Sequence, residues 1–142
     1  MSTNFLADVA GGVVAAVKAD DDLATLQVLG ADTDELRETA SFFVGVEINR
    51  ELVAGSRVFI LDGQAILRIN RSAYTADEAG QIKQNVLAAM LNPVADGDFD
   101  QFSFGSAKVL GFVLGTQNTT FAEEVQLDTF AFKIWAYQIS QQ

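Results

Sequence analysis

The chain has no cysteine, no histidine and a single proline among 142 residues, and its 9 basic residues are outnumbered by 19 acidic ones. Each shortage removes a class of chemistry. Without cysteine there is no disulfide framework and no thiolate metal site. Without histidine the commonest general base and the commonest zinc ligand are both missing. A net charge of −10 opposes broad non-specific binding to nucleic acid or anionic lipid. No apolar run approaches the ~18 residues of a membrane span, and the opening lacks the basic stretch and adjoining apolar core of a signal peptide. What is present is apolar material, 49% of the chain. One domain over 1–142 is expected, long enough to bury roughly two thirds of its unfolded surface.

The most complete local signals run from Arg57 to Pro93. Val58-Phe59-Ile60-Leu61 and Ala65-Ile66-Leu67-Arg68-Ile69 flank Asp62-Gly63, a dipeptide that tolerates positive φ, and this predicts a hairpin. Thr75-Ala76-Asp77-Glu78 has the form of a capping box. The helix it opens carries an apolar stripe of Ala79, Ile82, Val86, Ala89 and Met90 and is expected to stop at Pro93.

Upstream, Phe5, Leu6, Val9, Val13 and Val17 recur at helical spacing between Asn4 and Lys18, with Thr3 or Asn4 available as a cap. Gly11-Gly12 in its middle admits two readings, close approach to a sheet or a groove for a neighbouring subunit. Between Ala19 and Glu38 lie two acidic clusters, Asp20-Asp21-Asp22 and Asp32-Thr33-Asp34-Glu35. Neither has calcium-loop spacing, so both read as solvated charge. Val44, Val46 and Ile48 alternate with Gly45, Glu47 and Asn49 as one strand.

After Pro93, Asp96, Asp98 and Asp100 match the first three positions of a calcium loop. Gln101 and Ala107 then stand where glycine and glutamate are required. Phe99, Phe102 and Phe104 lead toward strands expected at Lys108 to Leu114 and Phe121 to Leu127, with a turn rich in Gly115, Gln117 and Asn118 between them. The last run places Phe130, Phe132, Ile134 and Ala136 on one side and Ala131, Trp135, Tyr137 and Ile139 on the other. Both sides are apolar. The pattern predicts the α+β class, a largely antiparallel, mixed sheet with helices packed mainly on one face. The second face of the last strand is then either covered by the N-terminal helix or the Ala19 to Glu38 segment, or offered to a partner.

No catalytic triad, phosphate-cradling loop or dinucleotide fingerprint occurs, and nothing selects one carboxylate pair out of nineteen acids. No enzyme activity, cofactor or metal is expected. Six basic residues, among them Arg57, Arg68 and Arg71, fall between positions 37 and 83 and suit cross-pairing with acids of a neighbouring copy.

The order of these elements carries a resemblance. An N-terminal helix, a strand, Leu67-Arg68-Ile69-Asn70, a capped helix ending in Val86-Leu87-Ala88-Ala89-Met90-Leu91, and a closing Phe132-Lys133-Ile134-Trp135 together resemble the tail terminator family of long-tailed bacteriophages. The Asp20 to Glu38 stretch and the long Pro93 to Phe104 connection depart from its compact pattern. The resemblance implies a structural virion protein in the neck region, assembled in the host cytoplasm. Such a protein forms a hexameric ring of identical subunits that ends tail-tube growth and joins the tail to the head. Implied partners are the tail tube protein, a head-completion or stopper protein, and DNA passing through an acidic lumen without sequence-specific binding; no membrane is involved. The residues expected at subunit contacts are Phe132, Lys133, Trp135, Tyr137, Ile139, Arg57, Arg68 and Arg71. Two alternatives stay open: another phage neck or baseplate joining subunit, and a small-ligand binding domain with a groove between Trp135, Tyr137 and the phenylalanines of Phe99 to Phe104.

Overall fold

A computed structural model describes residues 5–19, 23, 27–28 and 40–139. The proposed cap at Thr3 or Asn4, both acidic clusters of the 20–38 segment and Arg37 lie outside them. The described chain runs α1 (Phe5–Lys18), β1 (Gln27–Val28), β2 (Ala40–Glu51), β3 (Val58–Asn70), α2 (Ala76–Asp96), a 3-10 turn (Phe99–Phe102), β4 (Ala107–Ala122) and β5 (Val125–Gln138). The sheet order is β1-β2-β3-β5-β4. The short β1 is parallel to β2 and the four long strands are antiparallel. Both helices lie on one side, the α+β arrangement expected from the sequence.

Local chemistry explains α2. Glu78 N–H donates to Thr75 Oγ1 at 3.2 Å and Thr75 N–H donates to Glu78 Oε1 at 2.9 Å, closing the capping box. Contrary to expectation the helix passes Pro93 and ends at Gly97, whose φ of 69° is left-handed. Gly97 N–H bonds Val94 O at 3.1 Å and Asp98 N–H bonds Pro93 O at 2.9 Å, a glycine closure that satisfies the final carbonyls. A proline so near the end forfeits one helical bond, and its ring is buried.

The hairpin expected at Asp62-Gly63 does not form: β3 runs through both residues. Gly63 faces Phe132 across the β3–β5 ladder, and a Cβ on Gly63 would clash with that ring at its Cζ. The glycine is there to admit an aromatic. Its neighbour Asp62 points to the other face and is satisfied by side chains from β2 and β5. Tertiary partners therefore override the local turn signal. The real turns are elsewhere. Leu52–Arg57 joins β2 to β3, and Glu123-Glu124 joins β4 to β5. The second turn carries no glycine or asparagine, although Glu123 adopts φ 57°; that is why it had no sequence signal. The Gly115 to Thr120 stretch lies inside β4, where a bulge between Leu114 and Gln117 absorbs one residue, and the Phe121 to Leu127 segment spans the turn.

The core joins Val9, Val13 and Val17 of α1 and Val86 and Met90 of α2 to Phe42, Leu61, Leu67, Ile69, Phe130 and Ile134 of the sheet. Leu6, placed by periodicity on the buried side of α1, is exposed. The rings of Phe102, Phe112 and Phe132 stack in succession at centroid distances of 4.7 and 5.1 Å. At the α1 end of this stack the Phe102 carbonyl sits where a Cβ of Gly12 would be. The glycines of α1 thus serve close approach, to the 3-10 turn rather than to the sheet. Asp8 on the same helix accepts from Ser106 N–H and Oγ at 2.8 and 2.7 Å, fixing α1 to the start of β4.

A buried polar group secures the other end. Asp128 is fully buried; it accepts from Thr119 Oγ1 and from Gln126 Nε2, and Lys83 of α2 lies 3.5 Å away. Arg71 in turn donates to Gln126 Oε1 at 3.2 Å. Asp128→Ala is expected to cost about 1–3 kcal/mol, because it strands buried donors, and Asp128→Asn less. Urea unfolding midpoints check this; equal losses for the two variants would argue against it. Gly63→Ala is expected to cost about 1–3 kcal/mol by overpacking against Phe132. The loss should shrink when Phe132→Leu removes the ring, so the two changes should be non-additive in a double-mutant cycle.

Candidate interaction surface

The side of the sheet away from the helices follows from strand register. Its rows, read across β2, β3, β5 and β4, are Phe43–Ile66–Thr129–Asn118, then Gly45–Gln64–Ala131, then Glu47–Asp62–Lys133–Val113, then Arg50–Ile60–Trp135–Gly111. Between Ile48 and Arg50 a bulge in β2 turns Arg50 toward this face. Trp135 lies against Gly111, where a Cβ would be 3.5 Å from its ring, and opposite Ile60, which is buried with no described helix above it.

Small residues in the middle rows leave two concavities. One of about 480 Å³ is lined by Phe43, Gly45, Glu47, Asp62, Gln64 and Ile66. The second, about 360 Å³, lies between Val113, Gly115, Ala131, Lys133 and Trp135. Asp62 and Lys133 stand between them, paired at 3.2 Å. Asn49 Nδ2 donates to the other Asp62 oxygen at 2.8 Å. The Asn49 hydrogen bond, and after it the hydrogen bond and charge of Lys133, hold the Asp62 carboxyl below the usual carboxylate value of 3.8, against a smaller upward effect of desolvation.

Of the residues expected at contacts, the structure brings Lys133, Trp135 and Tyr137 together on this open face, with Arg68 further along it. Phe132 is on the other side, buried among the stacked rings, because alternation along β5 separates it from its neighbours. Ile139 follows β5 and is exposed, beside the β2–β3 turn through the Gln138 N–H to Arg57 O bond. Arg71 sits at the opposite end of β3, hydrogen-bonded to Tyr74 O and Gln126. The ligand groove expected between Trp135 and Phe99 to Phe104 is not formed, since Phe102 is in the core and Phe99 packs against it on the helix side. Helix α1 does not cover Trp135 either, as it packs with α2 on the opposite face.

Among the described residues no three acidic side chains converge on a potential metal position. Asp100 instead approaches Lys108 at 3.7 Å. Among the described residues, the acids on the open face are Glu47 and Asp62, set against Arg50, Arg68, Lys108 and Lys133. The other described acids lie on the helix side or in the turns, so among the described residues the acidic balance is not a property of this face. The importance of Glu47, Asp62 and Ile66 was missed from sequence; the alternation that places them is continuous through Asp62-Gly63 once that pair is read as strand.

No protein-family model matches the chain, and no curated protein is significantly similar in sequence. Among solved structures, the fold matches a chain from the virion of a native gene transfer agent particle with a TM-score of 0.64 at 10% identity. The match covers 96% of this chain and 99% of that one. At this identity the likeness is one of fold.

The Asp62 cluster makes a pH prediction. A folded-state value below the unfolded one contributes stability that is present above about pH 3.8 and is lost as pH falls through the folded value. A side-chain carboxyl titration by NMR should place the Asp62 midpoint below 3.8, and Asn49→Ala should move it upward. A midpoint unchanged by that substitution would show that Asn49 is not the cause.

Proposed function

We propose that the protein is a non-enzymatic structural component of a phage-type virion, and more specifically a ring-forming subunit at the head-proximal end of a tail tube. The observation that carries this reading is the fold shared along almost the full length of both chains with a component of a gene transfer agent virion. The sheet supports it. One face is packed by helices, and the other presents Trp135, Tyr137, Phe43 and Ile66 with no helix above them among the described residues, a composition suited to protein contact.

In this reading the work is steric and associative. Identical subunits close a ring, six by the family resemblance; one ring surface docks on the last tube ring and the other receives a head-completion protein. DNA crosses the lumen without sequence-specific contacts. Arg50, Arg57 and Arg68 make no ion pair among the described residues, and in this reading they meet carboxylates of another chain.

Native mass spectrometry and negative-stain electron microscopy of the purified protein should show a six-fold ring, and its addition to polymerising tail tube subunits should stop elongation. A monomer at high concentration that leaves tube length unchanged would overturn the reading. A ring that binds tail components but leaves elongation unaffected would point instead to another neck or baseplate subunit.

A further inference from the structure

The turn between β2 and β3 is built the reverse of an ordinary surface turn. Its tip exposes Leu52 and Val53, with relative exposures of 45% and 63%, while its polar groups are turned inward to brace it. The Glu51 carboxylate accepts from Gly55 N–H at 3.1 Å and Arg57 N–H at 2.6 Å, Ser56 Oγ accepts from Val58 N–H at 3.2 Å, and Leu52 N–H closes the ladder on Val58 O at 2.7 Å. An apolar knob held rigid in this way loses little conformational freedom when it docks. Two arginines without ion partners among the described residues, Arg50 and Arg57, flank it.

The larger concavity of the open face has the opposite character. Phe43 and Ile66 give it apolar walls, Gly45 leaves its floor open, and Glu47, which makes no hydrogen bond or ion pair with another described residue, stands at its rim beside Asp62. Within one chain the two parts cannot meet, because the β2–β3 ladder continues to Glu51 and Phe59 and holds the tip beyond the end of the face. We infer that the Leu52-Val53 tip of one copy seats in the Phe43–Gly45–Ile66 concavity of a second copy, with Arg50 and Arg57 against Glu47 of that neighbour. The apolar parts match and the unpaired charges are of opposite sign. A contact between two different surfaces of the same chain is heterologous, so it propagates from copy to copy and closes a ring when the rotation per copy divides a full turn, an open filament being the alternative. The inference deepens the ring reading by assigning the surfaces that close the ring.

The experiment uses two single variants and their mixture. Val53→Asp spoils the tip, where the side chain is largely solvated. Gly45→Trp fills the concavity, and a Cβ at Gly45 meets nothing within 4 Å in the free subunit, so the variant should fold; circular dichroism confirms that both do. Native mass spectrometry should show wild-type rings, each variant alone as a monomer, and the equimolar mixture as a one-to-one heterodimer with nothing larger, since only one intact tip and one intact concavity remain per pair. Glu47→Arg should also give monomers, and Arg50→Glu added to the same chain should restore rings. If the wild type forms rings and both single variants still do, this contact is wrong while the ring reading stands. Two monomeric variants that do not pair on mixing would likewise overturn it. A wild type that stays monomeric would overturn the inference and the ring reading together.

Discussion

The structure depends on a row of three stacked phenylalanines with a glycine at each end. Phe102 from the 3-10 turn, Phe112 from β4 and Phe132 from β5 lie ring on ring. Gly63 makes room for the last ring, and Gly12 makes room for the backbone that carries the first. This row links α1, the connection after α2 and three strands, so neither glycine can gain a side chain without displacing a ring or a carbonyl. Close packing of this kind transmits strain. It also accounts for two residues that look out of place locally, a glycine pair inside a helix and an Asp-Gly pair inside a strand.

Among the described residues, the packing that fills one face of the sheet leaves the other without a helical cover. All the described helical mass is on the side of Phe132, and the alternate residues of the same strand, Lys133, Trp135 and Tyr137, are left on the far side. Ion pairing in the middle of that face, Asp62 to Lys133, is exposed enough to be weak as a source of stability. Its more useful consequence is orientation, since it divides the face into two concavities and leaves Glu47 as the carboxylate there without a partner among the described residues. What this face offers is shape, apolar surface and, among the described residues, unpaired charge.

Much of this was legible in the chain itself. The capping box at Thr75 and Glu78 and the apolar stripe of α2 are local chemistry, and they appear where the residues put them. The two-faced alternation of the last strand is equally local, and it separates Trp135 and Tyr137 from Phe132 before any contact is known. Other features could not be read in this way. Asp62-Gly63 satisfies every local criterion for a turn, and only the ring of Phe132, 69 positions further along the chain, makes it strand. Glu123-Glu124 is a turn in spite of its residues, because the pairing of β4 with β5 leaves no other place for the reversal.

What the sequence alone determined, then, is the class of fold, the start of α2 set by its capping box and the alternation that gives each strand two faces, because these rest on hydrogen bonds and side-chain spacing within a few residues. What only the tertiary structure decided is where the chain reverses, which glycines are spaces for aromatic rings, and which face of the sheet is left open. Those outcomes rest on packing between residues far apart in the chain, where a favourable fit outweighs a local preference of about 1 kcal/mol.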